Sequence, residues 1–184
     1  MVFAPSDERL VKLALRNNKD AWLQLVKRYE GLIYNYGLRM LGNAEDALDL
    51  MQEVFFSVYR SLSSWRGDSS FKTWLMTIAH RRCVEQYRRR REEVGDEALA
   101  EQESNDLWHD PEQVFVRQQK GLRLLQAMQQ LPIEQRLVVE LKFFQQLAHT
   151  DIAEQLEIPL NTVKSRFYTA IEKLKSLIEV DEYE

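Results

Sequence analysis

Few side chains in this sequence have the types and spacing that catalysis or metal binding requires. The three histidines are far apart, at positions 80, 109 and 149, and His80 lies one helical turn before the single cysteine, Cys83. Two ligands are too few for a structural zinc site. The sequence also lacks a glycine-rich phosphate loop and a serine-centred nucleophile turn. We therefore predict a protein that is not an enzyme and that has no metal or cofactor.

The distribution of charge along the chain is more informative about function than these side chains are, because it is uneven. The 184 residues carry a net charge of -4, which by itself disfavours nucleic acid as a partner. Residues 1–91 carry +6, residues 92–112 carry -9 and residues 113–184 carry -1. Residues 80–91 read HRRCVEQYRRRR, with six arginines against one glutamate. So dense a cation cluster needs anions nearby, and DNA phosphate is the natural candidate; a solubilising helix end is the alternative.

The acidic middle segment divides the chain. Residues 92–112 contain nine acids and no Lys or Arg, so they cannot form a core and are predicted to be an exposed, flexible linker. The flanking segments, 1–91 and 113–184, are then two small domains. No apolar stretch approaches the ~18–20 residues of a membrane span, and the first residues lack the layout of a signal peptide. We expect a cytoplasmic protein without direct membrane insertion.

Both flanking segments have helical periodicity, which predicts an all-α fold. In the first segment, cap residues precede four helices, and these predicted caps are Ser6, Asp20, Asn43, and Ser69 or Ser70. The second segment predicts helices over about 111–130, 132–144, 150–156 and 160–178. The last two are joined by only a few residues, which is typical of a helix-turn-helix. The final helix begins with Thr, Lys, Ser and Arg, residues that reach phosphates and base edges in a major groove.

Three motifs occur in an order that resembles a known family. Residues 49–55 read DLMQEVF and residues 65–75 read WRGDSSFKTWL, with Ile78 and Ala79 following. A third block combines Leu131-Pro132, Asp151-Ile152-Ala153 and the TVKSR of residues 162–166. Together they resemble bacterial RNA polymerase sigma factors over roughly residues 10–178. The short two-domain layout resembles the extracytoplasmic-function type.

The resemblance implies that the first domain, 1–91, is a region 2 domain that binds core polymerase and recognises and melts the −10 element. Its docking surface for the β′ clamp helices would be Asp46, Asp49, Gln52 and Glu53. A solvated helix face is the alternative for these four residues. The implied −10 and melting residues are Trp65, Gly67, Asp68, Ser69, Ser70, Phe71, Arg81, Arg82, Arg88 and Arg89.

The aromatic residues of this block have two interpretations. Flipped bases need stacking partners or a loop pocket, and the family holds a flipped base in the loop before this helix. Helical spacing of aromatic residues is equally typical of a core. We expect Trp74 to be core and Ser69 and Ser70 to be exposed, and we leave both interpretations open for Trp65 and Phe71.

The resemblance also implies that 113–184 is a region 4 domain whose helix-turn-helix reads the −35 element. Ala148 replaces a common Ser cap in this domain, and Thr169 stands where Arg is frequent. The linker would thread through the polymerase, as a nucleic-acid mimic or as a simple tether. The implied −35 residues are Arg136, Thr162, Lys164, Ser165, Arg166 and Tyr168.

The resemblance predicts a sigma factor that directs promoter recognition and transcription initiation in a stress or envelope response. Its implied partners are core RNA polymerase through the β′ clamp helices and the β flap, promoter DNA, and an anti-sigma factor. One alternative is a stand-alone helix-turn-helix regulator, which would not need residues 49–55 or 65–75. Another is a helical interaction protein, which would leave the arginine cluster unexplained.

Overall fold

The computed structural model describes residues 4–94 and 115–180. These residues form helices and turns without a β-strand among them, which confirms the prediction of an all-α fold. Residues 95–112 of the predicted linker lie outside the described residues. Across 4–94 and 115–180, no helix is both long and apolar enough to cross a bilayer.

The first body, residues 4–94, contains four α-helices and one short 3₁₀ turn. The first two helices form an antiparallel pair, and α3 packs along α2 before the chain turns into α4. The helices are α1 (Asp7–Ala14), α2 (Lys19–Leu41), α3 (Ala44–Ser61) and α4 (Phe71–Val94), with the 3₁₀ turn at Leu62–Ser64.

Side-chain caps fix where these helices begin. Ser6 accepts a hydrogen bond from the Arg9 amide at 3.3 Å, and Asn43 accepts one from the Asp46 amide at 2.8 Å. Of the two serines predicted for α4, Ser70 is the cap. For α2 the predicted cap, Asp20, was wrong, because the side chain that caps this helix is that of Asn18.

Close packing of α2 and α3 forms the core of the first body. Gly37 permits the approach, because a Cβ there would lie 2.9 Å from Ala47 Cα. Gly42 ends α2 in a left-handed conformation with φ +84°. The buried side chains include Leu25, Ile33, Tyr36, Leu50, Val54, Val58, Leu75 and Ala79.

The second body, residues 115–180, also has four helices: α5 (Phe115–Gln129), α6 (Ile133–Val139), α7 (His149–Leu156) and α8 (Leu160–Val180). The helix predicted over 132–144 is therefore interrupted, because its last turn, Glu140–Phe144, widens into a π-helical segment. Ile152 and Val163 are fully buried between α7 and α8. Glu157, with φ 55°, makes the turn between these two helices, which confirms the predicted helix-turn-helix.

The two bodies are packed against each other. Buried residues of the second body, Ile133, Leu137, Val138 and Leu141, belong to the same apolar cluster as the core of α1–α4. A second cluster, around Met128, Leu131 and Leu174, lies within the second body. The two bodies therefore share the first of these two clusters.

Candidate functional site

The loop before α4 is exposed and braced by an aromatic side chain. Trp65 is half-buried, and its indole N–H donates to the Ser69 carbonyl at 3.1 Å. Gly67 has φ +83°, which a residue without Cβ adopts without strain. Ser69 and Ser70 are exposed, as predicted. The loop is thus a preformed projection, with Gly67 and Asp68 at its exposed edge.

Phe71 lies beneath this loop. It is only 2% exposed, and its ring contacts those of Tyr29, Trp65 and Trp74 at centroid distances of 5.5, 5.6 and 5.7 Å. A ring buried in this way has no free face for a base, so of the two interpretations left open for Phe71 the structure favours a core residue. Trp74, expected in the core, is half-buried against it.

The arginines of α4 fall into two groups. Arg81 and Arg88 are exposed. Arg82 is half-buried, where it donates to Ser57 at 2.9 Å and to Glu85 at 2.8 Å. The Arg89 guanidinium lies 3.3 Å from the Glu53 carboxylate, and both side chains are about half exposed. The basic half of α4 is therefore partly neutralised by acids and hydroxyls of the same body.

The acidic surface of α3 is smaller than predicted. Asp49 and Gln52 are exposed, and the Glu53 side chain is 42% exposed. Asp46 is 2% exposed and bonds to Asn43 and to Arg90, while its backbone carbonyl accepts from Gln86 at 3.2 Å. Asp46 therefore joins α3 to α4 and is not available to a partner in this structure, which corrects its assignment to the docking face.

Two exposed aromatic residues extend the same face of α3, and sequence reasoning missed them. Phe56 is 63% exposed and Tyr59 is 55% exposed. They follow Gln52 at helical spacing, and Tyr59 contacts the Trp22 ring edge-on at 5.1 Å. The sequence signal that could have identified them was an aromatic side chain outside the apolar stripe that α3 buries. Exposed aromatic side chains beside acids are typical of protein interfaces.

The helix-turn-helix presents the beginning of α8 to solvent. Lys164, Ser165 and Tyr168 are exposed, whereas Thr162 and Arg166 are half-buried. The surface thus combines one lysine, one arginine and three hydroxyls in the first turns of a helix, groups that suit DNA phosphates and base edges.

An aromatic cluster supports this surface. His149 contacts Phe167 edge-on at 5.0 Å and Tyr168 at 6.3 Å, and Phe143 lies 5.7 Å from Phe167. Burial lowers the pKa of His149, and the nearby charges of Lys142 and Lys164 lower it further. The imidazole is therefore neutral near pH 7 and adds no charge beside α8.

Arg136 does not lie on this surface. It is 2% exposed and donates to the carbonyls of Gln129 at 2.9 Å and Leu131 at 3.0 Å, to the Gln129 side chain at 2.6 Å, and to the Met40 carbonyl. Burial lowers its pKa. The structure therefore corrects the assignment of Arg136 to the −35 surface: in this arrangement its guanidinium contacts protein carbonyls.

Two titratable side chains of α4, His80 and Cys83, are buried. His80 Nδ1 pairs with the Tyr36 hydroxyl at 2.9 Å, and burial lowers the pKa of His80 to about 3. Burial raises the pKa of Cys83 to about 12. In the part of the chain that the structure describes, no three His, Cys, Asp or Glu side chains are grouped to hold a metal ion.

Two family models match the chain, one in each body. The model described as Sigma-70 region 2 matches residues 25–93. The model described as Sigma-70, region 4 matches residues 121–174. The first match includes α3 and nearly all of α4, and the second includes the helix-turn-helix.

Full-length relatives agree with these matches. The RNA polymerase sigma-H factor of Pseudomonas aeruginosa is 32% identical over 97% of this chain and 97% of its own length. The ECF RNA polymerase sigma factor SigW of Bacillus subtilis is 29% identical over 91% of this chain and 94% of its own length. The sigma factor RpoE from Bartonella quintana, solved with the anti-sigma factor NepR, has the same fold: the TM-score is 0.67 at 22% identity, covering 86% of this chain and 96% of that chain.

Proposed function

We propose a residue-level mechanism from one premise: the chain belongs to the sigma-70 family of bacterial RNA polymerase sigma factors, of the extracytoplasmic-function type. It is a sigma factor that binds core RNA polymerase and directs promoter recognition. The observation that carries this function is the presence of both family regions in one chain. The family is generally not catalytic, and we propose that the polymerase performs all the chemistry.

Core binding uses the exposed side of α3. Asp49, Gln52 and Glu53 supply an acidic and polar edge, and Phe56 adds a 63% exposed ring beside them. Charge complementarity to a basic pair of β′ helices would speed docking and fix its register. The apolar ring would add affinity once it is desolvated.

The −10 element is recognised by the loop before α4 and by the exposed arginines of that helix. Gly67, Asp68, Ser69 and Ser70 form the loop pocket for a flipped base, with Trp65 as its brace and Phe71 as its floor. The cations that hold phosphate are Arg81, Arg82, Arg88 and Arg89. Their contacts would make binding sensitive to salt.

The −35 element is recognised by α8, in the major groove. Phosphate contacts position the helix and base-edge contacts supply specificity. Lys164, Ser165 and Tyr168 are the exposed members of this set. Thr162 and Arg166 complete it, and Arg166 is the side chain suited to bidentate recognition of guanine.

Two further features of the proposal concern regulation and place. An anti-sigma factor is a proposed partner, since the structural neighbour RpoE was solved with NepR. Action in the cytoplasm, in a stress or envelope response, follows from the type of sigma factor. Isolation of an inhibitory protein with the tagged full chain would test the first of these.

Reconstituted transcription tests the function itself. The purified chain, core polymerase and a promoter library are combined, and each is also assayed alone. Promoter-specific transcripts that require both proteins are expected. Tight, sequence-specific DNA binding by the chain without polymerase, and no change in transcripts on mixing, would instead indicate a stand-alone regulator.

A further inference from the structure

Tyr29 of α2 is the inner member of a stack of aromatic rings that ends at the loop of residues 66–70. Tyr29 is 8% exposed, and its ring centroid lies 5.5 Å from that of Phe71. Phe71 meets Trp65 edge-on at 5.6 Å, and the Trp65 indole N–H donates to the Ser69 carbonyl at 3.1 Å. Aromatic pairs at such distances contribute more than their buried area alone. The three rings therefore connect α2 to the loop.

The rings place the loop, because its hydrogen bonds are local. These bonds join residues within 62–74, as in the cap that Ser70 forms on α4. A Cβ at Gly67 would have open space around it, so the edge of the loop does not lean on a neighbouring helix. The hydrogen bonds thus shape the loop without attaching it to α2 or α3. Its height above the helices depends on Phe71 and on Tyr29, against which Phe71 packs.

The inner end of the ring stack is anchored by α1. The Tyr29 hydroxyl donates to Asp7 Oδ2 at 2.5 Å. Arg28 donates to Asp7 Oδ1 at 2.5 Å and to the Pro5 carbonyl at 2.8 Å. Burial raises the pKa of Tyr29 above its ordinary value, and the hydrogen bond to the Asp7 carboxylate raises it further. The hydroxyl therefore stays a donor, and the ring is held at its edge as well as at its face.

A stack that is held at both ends preorganises the loop. A loop pocket binds a flipped base more tightly when its bound shape exists beforehand, because ordering the pocket during binding costs affinity. Removing the hydrogen bond to Asp7 would let the Tyr29 ring tilt and the Phe71 ring settle with it. The exposed arginines of α4 and the beginning of α8 lie outside this stack, so duplex contacts would remain.

We propose that Tyr29 and Asp7 are positioning residues for promoter melting, which hold the loop of residues 66–70 at the height at which it captures a flipped base of the −10 element. They act through Phe71 and Trp65 and do not touch DNA themselves. The first helix, α1, thereby contributes to base capture, although it lies outside the residues that the region 2 model matches. This role rests on the function proposed above.

Open-complex formation by the holoenzyme, with and without the captured base, tests this role. The full chain and core polymerase are mixed with promoters in which the non-template −10 bases are replaced one at a time by abasic sites. With the wild type, the captured base is the one whose removal reduces open complexes most, and 2-aminopurine beside it reports melting. Tyr29→Phe should reduce open complexes on the intact promoter by about fivefold, the effect of one lost hydrogen bond. On the promoter without the captured base it should cost less than about twofold, because both changes remove the same interaction.

Two more tyrosine variants separate positioning from general destabilisation. Tyr29→Leu also removes the ring and should lose about tenfold or more on the intact promoter. Tyr29→Phe keeps the ring, so it tests the hydroxyl even if Tyr29→Leu fails to fold, and circular dichroism checks both. Tyr36→Phe is the matched control, since it removes a buried hydroxyl of α2 that pairs with His80 at 2.9 Å. Any loss that Tyr36→Phe causes should be equal on the two promoters.

A double-mutant cycle tests the anchor on α1. Asp7→Ala should resemble Tyr29→Phe, and the two together should cost no more than either alone, since both break one hydrogen bond. Arg28→Met breaks the ion pair with Asp7 but leaves the Tyr29 bond, so open complexes should stay within about twofold of the wild type. Additive losses in the cycle, or a loss for Arg28→Met as large as that for Asp7→Ala, would overturn the proposal.

The promoter comparison can overturn it in two further ways. One is an unchanged yield for Tyr29→Phe, or equal losses for the Tyr29 variants on the intact and abasic promoters. The other is a wild type that tolerates an abasic site at every −10 position. In both cases promoter-specific transcription persists, so the positioning role alone is refuted. Absence of promoter-specific open complexes with the wild-type chain would refute the proposed function, and the positioning role with it.

Discussion

Arg90, in the basic half of α4, pairs with the buried carboxylate of Asp46 in the first turn of α3. Two turns further along α3, Glu53 contacts Arg89. The helix proposed to hold DNA and the helix proposed to hold polymerase are thus joined by their own opposite charges. Two acids of the predicted docking set therefore have partners within the domain. Asp46 is buried and Glu53 pairs with Arg89.

The Asp46 pair should contribute to stability, whereas its exposed neighbour should not. We expect Asp46→Asn to lower the free energy of unfolding by roughly 1–3 kcal/mol, because Arg90 loses its anionic partner at a buried site. The matched change Asp49→Asn, on the exposed side of α3, should stay within about 0.5 kcal/mol of wild type. Urea unfolding curves measure both. Equal midpoints for the two variants would show that Asp46 has no structural role.

Core binding should depend on Asp49. Reversing its charge in Asp49→Arg places a cation against basic clamp helices and should weaken affinity by about tenfold or more, ~1.4 kcal/mol. Glu30→Arg, an exposed reversal on α2, is the control. Fluorescence titration with core polymerase measures both, and circular dichroism checks that the fold is intact. Affinity that is the same for Asp49→Arg and wild type would refute the docking assignment.

Local rules explain much of what the sequence predicted. Caps at Ser6 and Asn43 and the short turn between α7 and α8 depend on neighbouring residues, so the sequence contains their cause. The burial of Asp46 could also be predicted from the sequence. It precedes Leu50 and Val54 at intervals of four residues, which places it on the buried stripe, while Asp49 falls outside it.

The environment of Arg136 could not be predicted from the sequence in this way. Its carbonyl partner at Met40 is 96 residues earlier in the chain, and no local pattern records that contact. The same is true of Glu140, whose partner Arg39 is 101 residues away. The family resemblance implies a DNA contact for Arg136, and only the packing of the two bodies reveals its contact with the Met40 carbonyl.

Selectivity for the −35 element should depend on Arg166. Arg166→Ala should reduce discrimination between the preferred −35 sequence and single-base variants by ~1–3 kcal/mol if the side chain makes a bidentate base contact. Thr169→Ala, an exposed neighbour on α8, should leave discrimination unchanged. Transcription from matched promoter variants measures the effect. Equal selectivity for Arg166→Ala and the wild type would exclude Arg166 from base recognition.

The stability of the first body should fall on acidification because of His80. Burial lowers the pKa of His80 from 6.5 to about 3, so the folded chain keeps the imidazole neutral where the unfolded chain protonates it. Between these two values the unfolded state binds more protons, and stability therefore rises with pH. The stabilisation is fully present above the unfolded pKa and is lost as the pH falls from about 6.5 towards 3.

The expected loss from this one group is about 2 kcal/mol between pH 7 and pH 5. His80→Gln retains a polar partner for the Tyr36 hydroxyl but cannot titrate, so its unfolding free energy should fall less over the same interval. Urea unfolding of both proteins at pH 7, 6 and 5 isolates the contribution as a difference, in which the effects of the shared carboxylates cancel. Parallel pH profiles would mean that His80 already titrates in the folded chain as it does in the unfolded one.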